Sequence, residues 1–294
     1  MRWGDMRPSD NVEEASGGGG GGGGGFPLGG LHLGGGAIII IVIVSLLFGV
    51  NPLSLLGLMD GSGPVTNAPP QTQMAPTSSR APAAQPNPQT DFVRRVVGDT
   101  EDVWTALFKQ MGSRYEPPKL VVYHNSLQSP CGMASAATGP FYCPGDQKVY
   151  LDTAFFQELS QRFGAPGDFA NAYVIAHEIG HHVQNQLGTM QKFDAAVSRN
   201  PRERNALSVR LELQADCYAG VWGYYAAKRN LLEPGDVEEG LKAASAVGDD
   251  KISHGRLMPD AFTHGSAAQR TYWFKQGMST GDPRTCNTFA TSSP

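Results

Sequence analysis

The stretch YVIAHEIGHHVQ, residues 173–184, carries the side chains best suited to chemistry. His177 and His181 are four residues apart, so on a helix both imidazoles leave one face a turn apart, near enough to share a metal ion. Glu178 follows the first histidine, where its carboxylate can reach a water on the metal without ligating the metal itself. Gly180 is expected to leave open space beside the site. A catalytic zinc takes three protein ligands and keeps one position open for water. Candidates for the third ligand are His182, Glu212, Asp216, His254 and His264. His182 lies about 140° around the helix from His177 and is expected to be exposed or behind the ligands. Glu212 and Asp216, in RLELQADCYAG, are four apart on one helix face amid Leu211, Leu213, Ala215 and Tyr218. One of these acids can ligate zinc while the other accepts a hydrogen bond from a ligand imidazole and sets its tautomer. A salt-bridging face with Arg204 or Arg210 is the plainer alternative for the pair.

These residues need helices to hold them, and the surrounding pattern supplies them. Apolar positions recur at helical spacing over Asp91–Met111, with Gly98 a possible interruption. Thr153–Phe163 and Phe169–Leu187 read as amphipathic helices, closed by Gly164 and Gly188 respectively. Asn200-Pro201 starts a helix running to about Lys228, and Pro234–Val247 and Ala267–Met278 are two more. KLVVY (119–123) and KVYL (148–151) read as short strands flanking a cysteine loop. The KVYL strand is a candidate edge for pairing an extended peptide. The expected fold is α+β, mainly helical, with a small sheet.

Four cysteines allow three pairings. CGMASAATGPFYC has the length of a local disulfide loop, favouring Cys131–Cys143 and leaving Cys217–Cys286. Four buried thiols are the alternative, and no C-x2-C spacing supports a zinc site built from cysteine.

The first ninety residues differ in character. Residues 1–30 read as a cytoplasmic tail containing the unbroken run Gly17–Gly25. Residues 31–59, with AIIIIVIVSLLFGV at 37–50, read as one transmembrane helix and its flank. Residues 60–90 form a Pro-rich linker unable to bury a core, and 91–294 the folded domain. Arg2 and Arg7 precede the apolar run and no basic residue follows it until Arg80, so the positive-inside bias puts the N-terminus in the cytoplasm and the domain outside. A net charge of -4 without a Lys/Arg cluster gives no footprint for nucleic acid.

HEIGHHVQ, ELQADCYAGVW and FTHGSAAQRTYWF together resemble the bacterial putative neutral zinc metallopeptidase family. The likeness runs from MRWGDMRPSDNVE to Cys286, apart from the Pro-rich stretch. It implies a zincin-like domain in which His177, His181 and Glu212 bind zinc, Glu178 is the catalytic base and Asp216 orients a histidine ligand. It also implies transition-state stabilisation by His264, with Arg270 nearby, although Gly265 stands where related segments usually carry Pro. The resulting expectation is a membrane-anchored zinc peptidase acting on proteins or peptides. A catalytically silent zinc-binding scaffold and a zinc amidase acting on cell-wall peptides are the alternatives.

Overall fold

A computed structural model describes residues 1–15, 87–135, 138–291 and 294. Helix α1 (Pro88–Gln110) opens at Asn87, whose side chain accepts from the Gln89 N–H, and carries Pro in its first turn. Both features suit a helix start, so the helix takes in the last residues of the expected linker. It buries Phe92, Val93, Val96, Val97, Trp104, Leu107 and Phe108 and runs through Gly98 without interruption.

A four-stranded sheet packs beside it in the order β1-β2-β6-β5. Strands β1 (Val12–Glu14), β2 (Lys119–Tyr123) and β6 (Lys148–Asp152) are parallel, and β5 (Phe141–Cys143) runs antiparallel to β6. The KVYL strand is therefore interior, paired on both sides, and the sheet edge beside the cleft is β5. Between β2 and β5, strands β3 (Ser126–Ser129) and β4 (Gly132–Ser135) make a separate antiparallel hairpin.

The remaining described elements are helices: α2 (Ala154–Gln161), α3 (Asp168–Gln186), α4 (Thr189–Arg199), α5 (Arg204–Lys228), α6 (Asp236–Ala246), the short α7 (Asp249–Ile252) and α8 (Ala267–Thr280). The fold is a mostly helical α+β arrangement. Helices α3, α5 and α8 meet at seams of small residues. A Cβ on Gly180 would lie 3.0 Å from the Ala215 carbonyl oxygen, and one on Gly220 only 2.2 Å from that of Phe274. Gly180 thus leaves no open space; it lets the backbone of α5 come close to α3. Both expected disulfides are present, Cys131–Cys143 and Cys217–Cys286.

Residues 1–15 depart from the sequence expectation, because they belong to the folded unit. After a 3-10 turn at Trp3–Asp5, the chain crosses α1 and enters the sheet as β1. Met6, Ser9 and Val12 are buried. Trp3 donates to Asp168 and packs edge-on against Phe92. Arg94 and Arg95 donate to the carbonyls of Ser9, Gly4 and Met6. The tail reading failed because these contacts join positions far apart in the chain, which no local pattern reports. The apolar run at 37–50 lies outside the described residues, and among those described no helix is long and apolar enough to cross a membrane.

The crossing depends on Gly98, where a Cβ would meet the Arg7 carbonyl oxygen at 2.1 Å. An exposed helical Gly→Ala change would gain up to about 1 kcal/mol of helix propensity. Here Gly98→Ala is expected to cost about 1–3 kcal/mol instead, through overpacking. Chemical denaturation of the two proteins checks the sign, and a stabilised variant would show that the segment does not cross there.

Candidate metal centre

Helix α3 presents Tyr173, His177, His181 and Gln184 along one buried face, and α5 presents Glu212 and Asp216 toward it. The close packing at Gly180 and Ala215 brings the two rows together. His177 Nε2 lies 3.2 Å from His181 Nε2 and 3.2 Å from Glu212 Oε2, and His181 Nε2 lies 3.5 Å from Glu212 Oε1. Ligands about 2.0–2.1 Å from a tetrahedral zinc would stand about 3.3–3.4 Å apart, so these separations fit. Among the described residues, this trio is the one group of His, Cys, Asp and Glu side chains arranged to hold a metal.

The far nitrogens of both rings are already committed. His177 Nδ1 lies 2.9 Å from Asp216 Oδ1, and His181 Nδ1 lies 2.9 Å from Gln184 Oε1. The Gln184 amide nitrogen donates to the Leu211 carbonyl and to Gln214, which turns its oxygen toward His181. With both Nδ1–H groups donating outward, the two Nε2 lone pairs and the Glu212 carboxylate converge on one buried point. Three acceptors facing one another out of water repel unless a metal ion or a proton sits among them. The donor set therefore fits a metal ion.

Asp216 is the hub behind His177. It accepts from the Tyr173 hydroxyl and from Arg270, whose Nε and Nη2 reach its two oxygens at 2.8 and 2.9 Å. Burial opposes the charge on Asp216, but Arg270 and His177 outweigh it and lower its pKa. Burial likewise opposes ionisation of Glu212, yet His181 and His177 hold its pKa well below the usual carboxylate range. Burial also disfavours a charged His177, but the hydrogen bond and charge of Asp216 push its pKa up to about 10 in the absence of metal. Arg270 thus lies behind the trio, bound to the group that orients a histidine.

Glu178 shares the cleft with the trio. Burial raises its pKa despite the pull of His177 and His181, and the Tyr142 backbone N–H reaches its carboxylate. His264 lines the same cleft, of about 520 Å³. Asp249 holds it: one oxygen meets His264 Nδ1 at 3.0 Å, and the other accepts the backbone N–H groups of Thr263, His264 and Gly265. Burial resists protonation of His264, but Asp249 and the charge of Glu212 raise its pKa.

His182 is neither exposed nor a ligand. It is buried, with Nε2 donating to the Glu116 carbonyl and Nδ1 facing the Tyr142 hydroxyl, so it ties α3 to β5. His254 is exposed and absent from the cleft lining. Sequence reasoning missed Tyr173, Gln184 and Asp249. The first two were readable, since they lie four residues before His177 and three after His181, on the ligand face. Asp249 carries no spacing signal and is found only through the folded loop.

An Escherichia coli (strain K12) protein designated Uncharacterized protein YpfJ is 44% identical over 296 residues, covering 99% of this chain and 100% of that protein. Uncharacterized protein Rv2575 of Mycobacterium tuberculosis (strain H37Rv) is 44% identical over 213 residues, covering 68% of this chain and 71% of its own length. No solved structure matches the chain significantly. The family model described as putative neutral zinc metallopeptidase matches residues 1–289, and the chain belongs to that family.

Proposed function

We propose that the protein is a zinc-dependent endopeptidase with a zincin-like site, in which His177, His181 and Glu212 hold the metal and Glu178 is the general base. The observation that carries this reading is the convergence of two Nε2 lone pairs and a carboxylate beside a second, non-ligating carboxylate. Zinc bound there would supply Lewis acidity to a water and to the scissile carbonyl.

The chain's own groups supply the rest. Burial lifts the affinity of Glu178 for a proton toward the working range of a base that must take one up and return it to the leaving amine. Asp249 holds the Nδ1 side of His264 and favours its protonated form, suiting the ring to donate a hydrogen bond to a developing oxyanion. β5 is the sheet edge beside the cleft, where an extended backbone can pair, and the Tyr142 N–H holds Glu178 there.

The cleft lining favours peptides over a sugar-bearing cell-wall substrate. Phe155, Phe163, Val174, Met190, Phe193 and Leu211 present apolar surface to whatever lies next to the trio. A silent scaffold would have no use for a buried carboxylate held beside the metal ligands. Two disulfides support an oxidising, extracytoplasmic location for the domain.

Glu178→Gln in the full chain should retain one zinc per molecule and lose cleavage of an unfolded protein substrate by about 10²–10⁴-fold or more. Unchanged cleavage would remove Glu178 from the mechanism. Zinc affinity should rise with pH. The metal needs a neutral His177, whose metal-free pKa is near 10, so binding below that pH displaces a proton. For one displaced proton, affinity increases about tenfold per pH unit. Competition with a chromophoric chelator between pH 6 and 8 measures the slope, and a flat profile would mean that no proton leaves.

A further inference from the structure

We infer that residues 1–15 and the body formed by residues 87–294 lie on the same side of any membrane the chain touches. The argument is one of parity. A lone span between two segments puts them in different compartments, whereas these two segments share one sheet and one core.

The shared structure is extensive. Strand β1 pairs in parallel with β2, with Val12, Glu13 and Glu14 opposite Leu120, Val121 and Val122. Met6 and Val12 are only 3% and 2% exposed. Glu101 is the most telling group: it lies on α1, is 6% exposed, and draws its donors from the N-terminal segment. Ser9 Oγ at 2.5 Å and Asn11 Nδ2 at 2.8 Å reach one oxygen, and Arg7 Nη2 at 2.9 Å reaches the other. Without that segment, the buried Glu101 carboxylate would lose these three donors and β2 would lose its outer neighbour. A carboxylate stripped of its donors in a dry site is strongly disfavoured.

The positive-inside bias rested on Arg2 and Arg7. Arg7 is engaged with Glu101 and Asp102, and Arg2 with Asp5 and the Asn230 carbonyl. These two cations have structural work to do on the domain, so their position before the apolar run says little about which side of a bilayer they occupy.

Single cysteines in the full chain test this in a bacterial host with an intact inner membrane. Asp10→Cys and Gly4→Cys report on the N-terminal segment; both positions are exposed, and Gly4 has open space around it. Ser279→Cys, exposed near the end of α8, reports on the domain. The four native cysteines are paired in disulfides and do not compete for a maleimide. Each variant is treated with a membrane-impermeant maleimide in spheroplasts, and again after folded solubilisation in mild detergent to set full labelling. The expected result is agreement: both N-terminal sites label in spheroplasts to the same fraction as position 279, whether that fraction is high or low. Labelling of position 279 with protection of positions 4 and 10, or the reverse, while all three label in detergent, would overturn the inference. This outcome is independent of peptidase activity.

Discussion

The close approach of α3 to α5 is the constraint on which the site depends. Gly180 has no side chain, so the backbone at Ala215 can sit against α3, and Glu212 and Asp216 come within hydrogen-bond distance of two histidines. A second small-residue seam, where Gly220 meets α8, sets Arg270 against Asp216 in the same way. The Cys217–Cys286 disulfide begins one residue after Asp216 and fastens the C-terminal segment to this helix. Packing at the level of backbone on backbone thus fixes the positions of charges several ångströms away.

Those charges form a graded series of partners around His177. Arg270 satisfies Asp216, Asp216 fixes the Nδ1 side of the imidazole, and the Nε2 side is left facing His181 and Glu212. Each buried ion is answered by the next, which is the condition for keeping charge inside a low-dielectric interior. The series ends at the two Nε2 atoms and the Glu212 carboxylate, the donor set suited to a metal ion. A similar logic holds His264 from the far side, where one carboxylate of Asp249 gathers three backbone N–H groups and a ring nitrogen.

What could be read from the sequence was what repeats locally. His177, His181, Glu212 and Asp216 came from four-residue spacing, because a helix turns spacing directly into a shared face. The short Cys131–Cys143 loop was legible for a similar reason. What escaped depends on contacts between distant segments. His182 was placed by its angle around one helix, but β5 and the chain at Glu116 cover that side and bury it. Gly98 looked like a helix interruption, and its reason is the backbone of Arg7 crossing above it. KVYL has no free edge, since β2 and β5, both earlier in the chain, pair with it on either side.

The parallel pairing of β1 with β2 also sets an order of events in folding. On the ribosome, Val12 emerges long before Leu120, its partner in the sheet, and before the Glu101 carboxylate that its flanking residues satisfy. Pairings between distant segments carry a loop-closure cost and form slowly. The first strand to be made therefore waits unpaired until Leu120 and its neighbours have emerged, and until then Met6 and Val12 lack the cover they have in the folded protein.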